Sequence, residues 1–364
     1  MIMYFGLSED QIFFQENVSK FLADHASLDV IKKIADDDNN EMQTDIERGL
    51  INLGLNSLVV PKNYGGLGLD LLFAAAIAQS LGEGVAPISY VGSYIMATIA
   101  ISEGGSEEQK QKYLPKIVDN SFKFGIGLSE FIGSRDGSSI QIKDNKISGR
   151  SLFVLDAKNS SHIIFSDSHG KIGICNSKDK GLKIIKLVTV DKTRSFSEIQ
   201  LDNVDIEILE KTKSDQASIL KSIDAGRIIL AADSIGASQA LINKAVEYSK
   251  ERKQFGRVIG SFQAVKHMCA EMTSELEPCY ALTWHAAHIH KDITNESRVM
   301  ACHAKSHVSE ASKLIAKKAT EVHGGMGFTD LMGIHYWFKR IGVNRQLLGS
   351  PELIREESAK IQDL

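Results

Sequence analysis

Two short stretches hold the residues best suited to ligand chemistry: Arg252-Lys253-Gln254-Phe255-Gly256-Arg257-Val258-Ile259-Gly260-Ser261-Phe262-Gln263 and His323-Gly324-Gly325-Met326-Gly327-Phe328. The guanidinium of Arg252 is a planar fork that matches phosphate oxygens. Gly324 and Gly325 let backbone N–H groups approach a phosphate or ribose without a side-chain clash. Phe255 offers a flat apolar face to an adenine or another ring. Each feature also has a plainer use. An arginine at a helix end complements the helix dipole, and a glycine pair there is an ordinary cap. Cap and binding site can be the same feature. The histidines point elsewhere: His285, His288 and His290 cluster without a cysteine or carboxylate to complete a zinc-type set, so they read as helix surface and no metal is expected.

The elements that must carry these residues change in texture along the chain. Residues 1–121 read as an α-helical domain. Ser8 with Gln11, and Ser106 with Gln109, are capping-box starts. Leu71 to Leu81 and Gln109 to Val118 carry apolar residues at helical spacing, and Pro61 to Gly68 is a loop. Residues 122–210 break into short β-branched runs, Lys123 to Leu128, Ile140 to Ile147, Ser151 to Leu155, His162 to Phe165, Ile172 to Cys175 and Leu182 to Val188, as expected of a small antiparallel β-domain. Residues 211–364 turn helical again, with long helices expected over Ser214 to Arg252, Phe262 to Ile289 and Glu296 to Val322, and Gly256 marking the end of the first. Strands confined to the middle exclude a doubly wound dinucleotide fold, which alternates strand and helix throughout. The fold class is α+β: an N-terminal α-helical domain, a small central antiparallel β-domain and a C-terminal four-helix bundle.

The two opening stretches resemble the C-terminal signatures of acyl-CoA dehydrogenases, R-x-Q-F-G-x-x-I-x-x-F-Q and H-G-G-x-G-[FY]. Gly54-Leu55, Val60-Pro61 through Gly68, and Ser106-Glu107-Glu108-Gln109-Lys110 through Leu114-Pro115 are similar to N-terminal stretches of the same family, in the same order. The resemblance covers nearly the whole chain. It implies FAD as cofactor, an acyl-CoA substrate, α,β-dehydrogenation, and an electron-accepting flavoprotein. It assigns cofactor contact to Arg252, Phe255, Gly256, Gln263, Glu321, Gly324 and Gly325, residues that in the family reach the FAD held mainly by a neighbouring subunit. Ser129 and Ser134 would line the flavin loop in cis.

The departures from the family pattern are one-sided. Gly349 falls where the usual catalytic glutamate belongs, and Gly226 takes the alternative position before Arg227. Glu352 and Asp224 are the nearby acids that could stand in, although acids at helix starts commonly serve the helix. The flavin loop reads Ser129-Glu130-Phe131-Ile132-Gly133-Ser134-Arg135-Asp136, without its proline. The strand beside the flavin ring reads Phe153-Val154-Leu155, and Leu155 cannot give the hydrogen bond of a threonine. Asp156, which follows, would have to turn away from a reduced flavin. Motifs serving a neighbour's FAD look intact while those of this chain's own site look eroded. This resembles the non-catalytic partner in heteromeric acyl-CoA dehydrogenases acting on steroid side-chain thioesters. The reading is therefore an oligomer subunit, either α2β2 with a second dehydrogenase-like chain or a homo-oligomer. A self-sufficient enzyme with a relocated base and a flavin-less scaffold are the alternatives.

Composition bounds the rest. The 364 residues are 43% hydrophobic and 24% charged, with a formal net charge of −4. No excess of positive charge exists to neutralise phosphates, so nucleic-acid and acidic-membrane binding are not expected. No apolar run approaches membrane-spanning length. Cys175, Cys269, Cys279 and Cys302 lack C-x-x-C spacing and read as reduced core thiols of a cytoplasmic protein.

Overall fold

A computed structural model describes residues 6–36, 41–133 and 139–364. Helices α1 (Glu9–His25), α2 (Leu28–Asp36), α3 (Glu41–Asn52), α4 (Leu71–Glu83), α5 (Ala97–Gly104) and α6 (Glu107–Val118) form the N-terminal layer. Both capping boxes are made: Ser8 and Ser106 each accept from the backbone N–H three residues on, and Gln11 and Gln109 reach back to the cap N–H. A π-helical turn over Tyr90–Met96 leads into α5, a feature the sequence reading does not contain.

The central domain comprises β1 (Phe124–Gly127), the short α7 (Ser129–Ile132), β2 (Ser139–Lys143), β3 (Lys146–Leu155), β4 (His162–Ser166), β5 (Ile172–Asn176), β6 (Leu182–Lys186), β7 (Phe196–Asp205) and β8 (Glu207–Ile208). The strand order is β6-β7-β3-β1-β4-β5-β8, with β2 paired to β3. Three points depart from the sequence reading. The chain does not run straight through Ile147 but turns at Asp144-Asn145, both at positive φ, so that the short β2 and a ten-residue β3 replace the two expected runs. The pairing of β1 with β4 is parallel within an otherwise antiparallel sheet. β7, a ten-residue strand, lies where no run was assigned, because Glu198, Gln200, Asp202 and Asn203 dilute its apolar face.

The C-terminal domain is built on α8 (Ala217–Glu251), a two-residue-strand hairpin of β9 (Lys253–Gln254) and β10 (Arg257–Val258), α9 (Gln263–Ile289), α10 (Asn295–His323), α11 (His335–Gln346) and α12 (Pro351–Ile361). Most of α8 before Ser249 is buried, as befits a helix surrounded by packed neighbours. The helix ends at Glu251, and Gly256 is not its cap. Phe255 and Gly256 form the two-residue loop of the hairpin at φ 50° and 75°, the left-handed pair that a type I′ turn demands. Among the described residues no helix is long and apolar enough to cross a membrane.

One buried histidine makes the fold's pH dependence testable. His290, 4% exposed at the end of α9, donates from Nε2 to the Lys221 carbonyl at 2.9 Å. Burial pushes its pKa down from 6.5 to about 4. The folded ring stays neutral where the unfolded ring takes up a proton, so its stability contribution is complete above pH 6.5 and is lost as pH falls towards 4, up to about 3 kcal/mol. His162 and His323, lowered by burial too, act in the same direction. Equilibrium unfolding of His290→Asn across this window should show a flatter slope than wild type; an unchanged slope would refute the assignment.

Candidate functional site

Two sites stand at opposite ends of α8. The first is a cavity of about 250 Å³ between the β-domain and the α11–α12 turn, lined by β1, α7 and β3 on one side and by Gln346 to Ser350 with Leu353 on the other. The turn is held from beneath. Arg227, wholly buried, donates from Nε to the Leu348 carbonyl at 3.0 Å and pairs with Asp224 at 3.2 Å and Glu357 at 2.6 Å. Arg298 joins Asp224 and Glu357 from α10. This four-residue network joins α8, α10 and α12 behind the cavity wall. It was not read from the sequence, although an arginine followed directly by Ile228-Ile229-Leu230-Ala231-Ala232 signals a buried charge that must be paired.

Of the candidate base positions, only Gly349 lines this cavity. Gly349 lines it at φ 107°, a backbone state that strains any L side chain, and a Cβ there would lie 2.9 Å from Ile354 Cγ1. Gly226 packs against the same turn, and a Cβ there would sit 2.5 Å from Leu348 Cδ1 and 2.6 Å from Met96 Sδ. Neither position has room for a glutamate without rearrangement. Glu352 does not line the cavity. It opens α12, where its own backbone N–H, Ser350 and Arg345 hold its carboxyl down to about 2. Asp224, 1% exposed, does not line it either. Burial pushes its pKa up to about 6 against the pull of Arg227 and Arg298. Ser129 lines the cavity, but its hydroxyl donates to the Leu152 carbonyl at 3.3 Å. Ser134 lies outside the described residues. Asp156 turns away from this cavity into a separate polar one beside α3, where burial raises its pKa to about 7.

The second site gathers the other candidates. Tyr248 and His323 stack at 4.6 Å, which brings the C-terminal ends of α8 and α10 together. Arg257 lies 4.0 Å over the Phe262 ring, and Phe255 stands 6.1 Å from that ring, so the hairpin sits on the start of α9. Arg252, Phe255, Gly256, Gln263, Glu321, Gly324 and Gly325 are all exposed at this one end. Phe255 is 92% exposed at the hairpin tip. Glu321 lies 3.8 Å from Lys317 and its carbonyl accepts from Gly324 N–H. A Cβ at Gly256, Gly324 or Gly325 would meet nothing within 4 Å, so these backbone segments face open space rather than a wall of their own chain.

Domain profiles decide the family: the acyl-CoA dehydrogenase N-terminal domain matches residues 8–121 and the C-terminal domain residues 217–362, together well over half of the chain. The chain belongs to the acyl-CoA dehydrogenase family. Members of this family are FAD-dependent oxidoreductases. The probable acyl-CoA dehydrogenase YngJ of Bacillus subtilis is 27% identical, over 100% of this chain and 98% of its own. The caffeyl-CoA reductase-Etf complex subunit CarC of Acetobacterium woodii is also 27% identical, over 85% of this chain and 88% of its own. The ChsE4-ChsE5 complex from Mycobacterium tuberculosis shares the fold at TM-score 0.89 and 19% identity, covering 100% of both chains.

Within an acyl-CoA dehydrogenase, the two sites differ in how they suit FAD. The cavity suits the ring less well. Ile126, Leu128, Leu155, Leu348 and Leu353 supply most of its walls. Of its described polar side chains, the Ser129 hydroxyl is spent on the Leu152 carbonyl, which leaves Ser350 and Gln346 to meet a flavin's polar edge. The bundle end fits the nucleotide half: Arg252 brings a fork for phosphate, Gly324-Gly325 an unobstructed backbone and Phe255 an exposed ring.

Proposed function

We propose that this chain is one subunit of an FAD-dependent acyl-CoA dehydrogenase assembly. It grips the nucleotide end of the FAD seated in a neighbouring chain, and that neighbour supplies the carboxylate that takes the Cα proton in α,β-dehydrogenation of an acyl-CoA thioester. The observation that carries this reading is distance. Gly226 at the cavity and Arg252 at the bundle end are about 26 residues apart along α8, roughly 39 Å at 1.5 Å per residue. An FAD seated in the cavity would not reach that far, which supports reading the bundle end as a surface for the nucleotide of another chain's FAD.

The chain's own residues support the second half of the reading. Proton abstraction needs a base within hydrogen-bond reach of Cα. Around the cavity stand two glycines at the customary places, a salt-bridged Glu352 facing outward and an Asp224 locked between two arginines. A homo-oligomer would repeat this deficit in every subunit, so a second, base-bearing dehydrogenase-like chain in an α2β2 arrangement is favoured over it. That CarC is named as a subunit of an Etf complex, and that ChsE4-ChsE5 is a complex of two such chains, accord with a heteromeric assembly passing electrons to a flavoprotein acceptor. The four free cysteines accord with a cytoplasmic setting.

The direct test of the bundle end is Arg252→Lys in the assembled enzyme. Lysine keeps the charge and loses the fork, so FAD retention should weaken by about 1.5–3 kcal/mol. Unchanged FAD affinity, read by flavin release under dilution, would reduce Arg252 to a helix-end charge.

A further inference from the structure

A further cavity, open and of about 460 Å³, lies apart from both sites, where α1 and α4 of the N-terminal layer meet α8 and α9 of the bundle. Its frame is close-packed. A Cβ at Gly236 of α8 would lie 1.8 Å from the Gln79 carbonyl oxygen of α4, so the two backbones touch. Gln79 is 6% exposed, and its amide orientation is fixed by Gln15, whose Nε2 donates to the Ala76 carbonyl at 2.9 Å and to Gln79 Oε1 at 3.2 Å. That leaves Gln79 Nε2 as the free end. Among the described residues neither Gln79 Nε2 nor Trp284 Nε1 has a hydrogen-bond partner, and both atoms are buried. A buried donor without an acceptor bears its full desolvation cost, so two of them on one cavity call for an acceptor.

The charge on the walls has one sign. Glu16 and Glu83 line the cavity, and among the described residues no lysine, arginine or histidine does. Partial desolvation, with no basic group on the walls to offset it, raises the Glu83 carboxyl above its ordinary value. Trp337 Nε1 donates to the Glu83 carbonyl at 2.8 Å, which anchors the end of α4 that carries this acid. Gln79 and Glu83 stand one turn apart on one face of α4, as Tyr280 and Trp284 do on α9. The Tyr280 and Trp284 rings are 5.6 Å apart at 57°, and aromatic faces attract cations. Leu7 and Ile12 add apolar surface.

We propose that this cavity binds a small organic monocation whose ammonium group stands beside a carbonyl, the chemistry of an amino-acid amide. Glu83 takes the ammonium, and Gln79 Nε2 and Trp284 Nε1 donate to the two lone pairs of the carbonyl oxygen. The inference does not depend on which chain holds the FAD.

The test is calorimetric titration of the full chain, alone and in its two-chain assembly, with phenylalaninamide, with phenethylamine, which lacks the carbonyl, and with hydrocinnamamide, which lacks the charge. One saturable site per copy of this chain is expected for phenylalaninamide in both preparations, with each truncated probe weaker by about tenfold. Glu83→Gln should weaken phenylalaninamide by about tenfold or more and leave hydrocinnamamide unchanged. Trp284→Phe keeps a ring and loses only the donor, so it should weaken phenylalaninamide by about three- to tenfold and leave phenethylamine unchanged. Neither substitution removes a bond made within the chain, so thermal unfolding of both variants should match wild type. Absence of saturable binding, equal affinity for the three probes, or indifference to either substitution overturns the proposal. So does binding by the isolated chain alone, which would mean that a neighbouring subunit covers this face in the assembly.

Discussion

Glu352→Gln should leave turnover of the assembled enzyme within about twofold of wild type, while converting the partner's catalytic carboxylate to its amide should lower turnover by about 100-fold or more with FAD still bound. The contrast follows from where the acids stand. A general base works best with a pKa near the operating pH and within reach of the proton it removes. Glu352 meets neither condition. Its carboxyl is held to about 2, and its side chain bonds to Arg345 at 2.8 Å on the outer side of α12. Asp224 has the better pKa, about 6, but both of its oxygens are engaged by arginines and it does not line the cavity. Asp224→Asn should therefore act on stability, since it leaves Arg227 and Arg298 short of a counter-charge, and its turnover is to be read where the fold is intact. A loss of about 100-fold in a folded assembly carrying either variant would place the base on this chain.

Arg340→Met should destabilise the protein by about 3–5 kcal/mol, the cost of stranding a buried charge. Arg340 is 3% exposed and joins three parts of the fold. It donates to both oxygens of Asp233 on α8, at 2.9 and 2.7 Å, to the Ala86 carbonyl of the N-terminal layer at 3.0 Å, and to Thr193 of the β-domain at 3.3 Å. Burial alone would push Asp233 up, but Arg340 beside it holds the carboxyl below its ordinary range. Adding Asp233→Leu to Arg340→Met removes the stranded charge and should recover part of the loss. Chemical unfolding of the single and double variants measures both. A single-variant cost under about 1 kcal/mol would mean that this joint is not what clamps the domains together.

The sequence made the helical layers legible because their signals are local. Ser8 with Gln11 and Ser106 with Gln109 are complete within four residues, and each helix begins where its box stands. The β-domain was harder, for physical reasons that particular residues illustrate. Gly149 reads as a strand break, yet it sits inside β3 next to a register shift, while the true turn falls at Asp144-Asn145 without any glycine. The parallel pairing of Phe124 to Gly127 with His162 to Phe165 is non-local and leaves no mark in either segment.

The two sites divide along the same line. Arg252 through Gln263 and His323 through Phe328 are contiguous motifs, legible as such, and the Tyr248–His323 stack places the helix ends that carry them side by side. Most cavity walls are scattered single residues such as Ile126, Leu348 and Leu353, which carry no signal in their own segments, and Leu155 is legible only through the resemblance. Gly226 and Gly349 stand out in the sequence for the side chain they lack. Their geometry adds that Gly349 holds a backbone state that strains any L side chain, while a side chain at Gly226 would have to displace the tips of Leu348 and Met96.

The most direct measurement of the central claim is the flavin-to-protein ratio of this chain purified alone and then combined with its dehydrogenase-like partner. The isolated chain should carry little or no FAD, because its own cavity offers few side-chain donors to the ring. The combined preparation should hold about one FAD per pair of chains, bound by the complete site and stabilising the pair by mass action. Stoichiometric FAD in the isolated chain, or two per pair in the assembly, would contradict the account.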